Sequence, residues 1–162
     1  MADPLEVRII TPERVVFSQK VDSVLVPGSL GEMEILPGHV AIFSIIKPGE
    51  IRVKDDDQVY IFASGAGFVE VNNDCVKILV DSAEGNADID PEVARKLIEE
   101  AEDKLKDLEN VDDETRFAFE TQLATARARI EVYERTSGEH EATQGFSRVA
   151  MSPVENENKD AK

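Results

Sequence analysis

Residues 76–97 read Val76-Lys77-Ile78-Leu79-Val80-Asp81-Ser82-Ala83-Glu84-Gly85-Asn86-Ala87-Asp88-Ile89-Asp90-Pro91-Glu92-Val93-Ala94-Arg95-Lys96-Leu97, and the spacing of apolar side chains changes within them. Upstream of residue 85 apolar positions recur at every second residue; from Asp88 they recur at every third or fourth. A period of two belongs to a strand with one face in a core and the other in water. A period near 3.6 belongs to a helix with one apolar stripe. The change predicts a two-domain α+β chain, with β structure over residues 1–84 and a helical unit over residues 85–137.

In the β part, Leu5, Val7 and Ile9 alternate with polar residues, as do Val24 and Val26, Ile51 and Val53, and Val69 and Val71. Turn signals separate the runs: Pro27-Gly28, Gly31, Pro37-Gly38, Pro48-Gly49, Asp55-Asp56-Asp57, Gly65-Ala66-Gly67 and Asn72-Asn73-Asp74. Proline presets φ, and glycine and asparagine accept positive φ, so these positions break strands. Room remains for about eight to ten short strands, which suits an antiparallel β-sandwich or flattened barrel.

In the helical part, Asp88 or Asp90 caps a first helix and Pro91 suits its first turn. Ala94, Leu97, Ala101, Leu105 and Leu108 form its stripe over 91–109; Phe119, Leu123, Ala126, Ile130 and Tyr133 form that of a second helix over 113–136. The short link between them predicts an antiparallel αα-hairpin. Both stripes are narrow and carry three alanines in all, so the hairpin needs a third surface, on its own sandwich or on a partner. Residues 138–162 hold few large apolar side chains and predict an acidic, disordered tail.

The 162 residues carry 18 Lys+Arg against 34 Asp+Glu, a formal charge of −16 with both parts acidic. Such a chain lacks the basic face that would displace counterions from phosphates, which excludes nucleic acid as a partner. No run approaches the ~20 apolar residues of a membrane span, and residues 1–10 lack a signal peptide's basic and apolar regions, which predicts a soluble protein without membrane insertion. One cysteine excludes an intrachain disulfide, and the compartment is expected to be reducing.

Motifs for chemistry are absent. There is no phosphate-cradling Gly-x-x-x-x-Gly-Lys-Ser/Thr segment, and Gly65-Ala66-Gly67 opens no Rossmann turn. Cys75, without a neighbouring base, reads as a buried structural thiol. His39 and His140 are too far apart for a metal pair, and Asp55-Asp56-Asp57 reads as a solvated hairpin turn. No catalytic, cofactor or metal residue is assigned.

Residues 27–53 run Pro27-Gly28-Ser29-Leu30-Gly31-Glu32-Met33-Glu34-Ile35-Leu36-Pro37-Gly38-His39-Val40-Ala41-Ile42-Phe43-Ser44-Ile45-Ile46-Lys47-Pro48-Gly49-Glu50-Ile51-Arg52-Val53. This stretch closely resembles the signature of the epsilon subunit of F-type ATP synthases (delta in mitochondria). Thr11-Pro12-Glu13-Arg14-Val15-Val16-Phe17 upstream and Ser64-Gly65-Ala66-Gly67-Phe68-Val69-Glu70-Val71 downstream extend the resemblance, which spans about residues 4–136.

The resemblance implies a non-catalytic central-stalk subunit that couples proton translocation to ATP synthesis. Its sandwich would bind the gamma subunit and the c-ring, and its helices would reach the alpha/beta catalytic head and inhibit ATP hydrolysis. Glu32, Pro37, Gly38 and His39 then either meet a partner or only shape loops. Arg127, Arg129 and Arg135 either meet acidic residues of the catalytic subunits or pair with Glu131 and Glu134. The implied location is peripheral, on the cytoplasmic face of the bacterial plasma membrane.

Some family members bind ATP through Ile/Leu-Asp-x-x-Arg-Ala at the first helix. Here Ile89-Asp90-Pro91-Glu92-Val93-Ala94 puts Val93 at the arginine position, with Glu99 and Glu100 following, so ATP binding is expected to be weak or absent. Two other readings of the residues remain: an acidic β-sandwich adaptor for a helical protein, and a small hydrolase with a carboxylate site.

Overall fold

The computed structural model describes residues 3–108 and 111–142, with side chains through residue 137. Ten strands come first: β1 (Leu5–Ile10), β2 (Val15–Val21), β3 (Ser23–Gly28), β4 (Gly31–Ile35), β5 (Ile42–Ile46), β6 (Gly49–Asp55), β7 (Gln58–Ser64), β8 (Gly67–Asn72), β9 (Cys75–Val80) and β10 (Ala83–Gly85). A 3-10 turn at Asn86–Asp88 leads to helices α1 (Pro91–Lys106) and α2 (Asp113–Ala142).

Hydrogen bonding runs in the order β10-β7-β6-β3-β5-β8-β9-β1-β2, with β4 on β3. The link between β3 and β5 is a single residue pair, Gly28 opposite Ile46, and there the sheet folds over into two layers. One layer holds β10, β7, β6, β3 and β4; the other holds β5, β8, β9, β1 and β2. Every pairing is antiparallel except β1 with β9, which run parallel.

Alternation along the strands fills the space between the layers. Leu5, Val7, Ile9, Val24, Val26, Ile51, Val53, Val69 and Val71 are all buried in one cluster, as the period of two predicts. Phe17 of β2 reaches across to β7, its ring 5.3 Å from that of Tyr60 and 5.7 Å from that of Phe62.

The helix caps are local chemistry. Asp90 rather than Asp88 caps α1, its Oδ1 accepting from the N–H groups of Glu92 (3.0 Å) and Val93 (3.2 Å), with Pro91 at the first helical position. Asp112 caps α2: Oδ1 accepts from the Thr115 N–H at 2.8 Å and Oδ2 from the Thr115 hydroxyl at 2.9 Å. These bonds, the backbone one foremost, favour the ionised carboxylate and hold the Asp112 pKa below its ordinary 3.8. The cap is therefore in place above pH 3.8 and is lost as pH falls through the lower, folded-state value. The Thr115 amide resonance should follow that titration with a midpoint below 3.8; a midpoint at 3.8 or above would refute the cap.

Buried Ala94 and Ala101 let α1 lie close against α2, on the stripe the sequence predicts. The second helix departs from expectation twice. It runs through Ser137 and Gly138 to Ala142, past the predicted end at 136. Glycine inside a helix costs only about 1 kcal/mol, too little to end a helix already supported by packing. The expected disordered tail lies, from residue 143 on, outside the described residues. Its second departure is a second apolar face: Ala128 and Val132 are buried off the predicted stripe. Val132 packs with Ala63 of β7 and Ile89, beside Ile61 and Tyr133, so α2 lies on the outer face of the first layer. The hairpin's third surface is its own sandwich.

Candidate partner-binding surfaces

One outer face of the sandwich is covered by α2; the other carries apolar side chains and no covering helix among the described residues. Cross-strand register aligns Ile45 of β5 with Phe68 of β8, Phe68 with Leu79 of β9, and Leu79 with Ile10 of β1. Ile45 is 62% exposed and Phe68 39%, while Leu79 and Ile10 are half-buried. Phe43, 66% exposed, leans on Phe68 with ring centroids 5.1 Å apart. Side chains opposite one another on one face of a sheet sit about 5 Å apart, so the row is a continuous band. The adjoining row runs Phe43, Glu70, Lys77 and Arg8, so beyond Phe43 the band is bordered by charge. An exposed apolar band with a charged border is the anatomy of a protein-binding surface.

The sequence signal for this band lies in Ala41-Ile42-Phe43-Ser44-Ile45-Ile46, apolar at positions of both parities. A strand with one wet face alternates; this one is apolar on both. The strand phase places Ile42, Ser44 and Ile46 inward and Phe43 and Ile45 outward.

The loop Pro37-Gly38-His39, between β4 and β5, is held in a defined shape. Gly38 has φ +80°, a left-handed value that glycine takes without strain, and its N–H donates to Asp74 Oδ1 at 2.7 Å. The His39 N–H donates to the Leu36 carbonyl at 3.0 Å, and Nδ1 lies 2.8 Å from the Val40 carbonyl. Exposed Leu36 and Val40 flank the loop. Glu32 is exposed on β4, opposite Pro27, beside the fully exposed Leu30 of the β3–β4 turn. It thus sits at one end of β4 and the Pro37–His39 loop beyond the other. At ~3.3 Å per residue the two are roughly 15–20 Å apart, so they do not form one cluster.

Arg127, Arg129 and Arg135 of α2 do not pair with Glu131 and Glu134. Arg127 bonds Glu102 of α1 at 2.8 Å, Arg129 bonds Glu84 of β10 through Nε at 2.9 Å, and Arg135 bonds Glu50 of β6 at 2.8 Å. Their partners lie 25, 45 and 85 residues away along the chain. Two of the three pairs therefore tie the hairpin to the sandwich.

Cys75 is exposed, contrary to the buried reading: Val76, Ile78 and Val80 take the inward phase of β9, which turns Cys75 and Lys77 outward. Asp55-Asp56-Asp57 makes the β6–β7 turn, with Asp56 at φ 51° and its N–H donating to Asp22 at 2.7 Å. Among the described residues no group of three His, Cys, Asp or Glu could hold a metal ion, and no helix is long and apolar enough to cross a membrane.

A β-sandwich with an apolar binding band and a helical hairpin docked behind it defines a class of binding subunit. Residues 4–86 match the profile of the ATP synthase delta/epsilon chain β-sandwich domain. The ATP synthase epsilon chain of Geotalea daltonii is 37% identical over 132 residues, covering 82% of this chain and 95% of that one. That of Synechococcus elongatus is 35% identical over 127 residues, covering 78% and 93%. A chain in the Euglena gracilis mitochondrial ATP synthase structure (OSCP/F1/c-ring) shares the fold, with TM-score 0.66, 22% identity and coverage of 79% and 80%. The chain belongs to the ATP synthase delta/epsilon family.

Proposed function

We propose that this chain is the non-catalytic central-stalk subunit of an F-type ATP synthase, linking gamma to the c-ring and restraining ATP hydrolysis through its C-terminal helices. The observation that carries the reading is the apolar band on the open sheet face, Phe43, Ile45, Phe68, Leu79 and Ile10. Its apolar centre and charged border suit a long-lived contact with another subunit, here gamma. The names of the relatives, epsilon chains of ATP synthases, support the same assignment.

Glu32 on β4 and the loop Pro37-Gly38-His39 are the contacts toward the c-ring. Rigid loops on a strand scaffold display binding side chains without paying an ordering cost on association. Arg127, Arg129 and Arg135 are the contacts toward acidic residues of the catalytic alpha/beta head, and reaching them requires exchange of their present partners Glu102, Glu84 and Glu50. The position is peripheral, on the cytoplasmic face of a bacterial plasma membrane. ATP binding to the free subunit is weak or absent. Val93 is an exposed apolar residue where a cation is needed, Glu100 adds a repelling carboxylate, and Arg127 is engaged by Glu102.

Deleting residues 88–162 from the assembled complex tests the regulatory part. ATP hydrolysis should rise while gamma and the c-ring still co-purify. Unchanged hydrolysis rejects the inhibitory role, and loss of co-purification rejects the assignment of stalk binding to the sandwich.

A further inference from the structure

We propose that the hairpin is seated on the sandwich by an ionic latch with a single register, and that salt loosens it. This concerns the isolated chain and stands whatever its contacts in a complex prove to be.

Glu50, Ala63 and Glu84 form one cross-strand row on β6, β7 and β10. Arg129, Val132 and Arg135 follow one another at three-residue steps along α2 and meet that row in reverse: Arg129 on Glu84, Val132 on Ala63, Arg135 on Glu50. Three helical residues rise ~4.5 Å and neighbouring strands are ~4.8 Å apart, so the helix crosses the strands with one contact per strand. Val132 seats at the centre, and the long arginine stems flank it on either side.

The apolar part of this interface is small. Its buried cluster is Ala63, Ile89 and Val132, against seventeen buried residues in the sandwich core. Ile61 and Tyr133 pack beside it, and part-exposed ion pairs are each worth little, so the two pairs share the docking energy with this cluster rather than dominate it. A shift of α2 by one strand would set an arginine over Ala63 and a valine against a carboxylate, so the pairs select register as well as strength. Glu50 also accepts from Arg52, at 2.6 and 3.0 Å, which fixes its carboxylate before the helix docks.

Both pairs are reachable by solvent ions. The Arg129 and Glu84 side chains are 22% and 30% exposed and line a polar cavity of about 320 Å³ with Thr11, Arg14, Asp81 and Asp88. Ions at high concentration therefore screen the latch, whereas burial of Val132 is insensitive to screening.

Hydrogen–deuterium exchange on the full chain reads the latch. Raising salt from about 0.05 to about 1 M should speed exchange across α2 by roughly fivefold or more and leave β8 and β9 unchanged. The double variant Arg129→Gln with Arg135→Gln should show the fast α2 exchange already at low salt and a much smaller salt dependence, the remainder coming from the pairs of α2 with α1, Arg127–Glu102 and Arg95–Glu134. The charge swap Arg129→Glu with Glu84→Arg, leaving Arg135 in place, should restore protection. Slow α2 exchange in the double variant overturns the proposal, as does a salt dependence there as large as in the unsubstituted chain. Loss of protection in β8 and β9 also overturns it, since the pairs would then support the sandwich rather than dock the hairpin. None of these readings depends on ATP hydrolysis, so failure of the latch is distinct from failure of the stalk assignment.

Discussion

Gly67→Ala should lower the stability of the sandwich by about 3 kcal/mol, equivalent to a fall in Tm of roughly 6–12 °C for a chain of this size. Gly67 opens β8 and pairs with both Ile46 and Val80. A Cβ placed on it would stand 1.9 Å from the Leu79 carbonyl oxygen and 2.7 Å from the Val80 Cα. Both are backbone atoms of β9, held by the ladder on either side, so no rotamer change relieves the overlap. The strands must separate, and Val69, Val71, Ile78 and Val80 behind them lose their packing.

Gly65 is the control. A Cβ there would meet the Ser82 hydroxyl at 3.1 Å, the Asp81 Cβ at 3.2 Å and the Ser82 backbone nitrogen at 3.4 Å, contacts that a hydroxyl rotation and a shift of a few tenths of an ångström relieve. Gly65→Ala should therefore cost much less, about 1 kcal/mol. Chemical denaturation of both variants provides the measurement. A loss below about 1 kcal/mol for Gly67→Ala, or equal losses for the two, contradicts the packing described.

Phe43→Glu combined with Phe68→Glu should weaken binding of the gamma subunit by at least about 100-fold with the fold intact. Each phenylalanine truncated at the centre of an interface typically costs 1–2 kcal/mol or more, and burying the new carboxylates adds desolvation. The two positions face away from the core and their rings touch each other, so the pair should act as one anchor. Thermal unfolding of the free chain should fall only modestly: neither side chain belongs to the buried cluster, but the carboxylate at position 43 faces Glu70 across the strands. Titration calorimetry with purified gamma, or co-purification of the assembled stalk, gives the affinity. Binding within threefold of the wild-type chain would remove the apolar band from the interface and with it the main support for the stalk reading.

Much of this molecule is legible residue by residue. The alternation through Val7, Ile9, Val24, Val26, Ile51 and Val53 names the core, because strand geometry sends neighbours to opposite faces whatever the rest of the chain does. Asp90 before Pro91 names the start of α1, because the cap bonds only to the next turn. The same phase rule would have placed Cys75 outside, since Val76 and Ile78 set the inward parity; the general habit of free cysteines misled where the local pattern was informative.

The candidate site was legible only in part. The segment around Glu32, Pro37, Gly38 and His39 stood out, yet its two ends lie at opposite ends of one strand. Phe43 and Ile45 carried a signal, apolar residues on both parities of one strand, whose meaning depends on whether anything covers the outer face. Val132 carried only a weak one: Ala124, Ala128 and Val132 recur at four-residue steps, but two of the three are alanines and charged residues lie between them.

By itself the sequence determined the inward faces of β1, β3, β6 and β8, the turns between strands, and the facing stripes of the two helices. All of these rest on backbone geometry within a few residues. Tertiary structure alone decided that α2 covers the β10-β7-β6 face and that, among the described residues, no helix covers the β5-β8-β9-β1 face. It also decided that Arg129 and Arg135 find Glu84 and Glu50 rather than the glutamates of their own helix. The reason is physical: an ion pair or a covered face depends on which distant strands become neighbours, and a cross-strand row such as Glu50, Ala63 and Glu84 exists only once the sheet has formed.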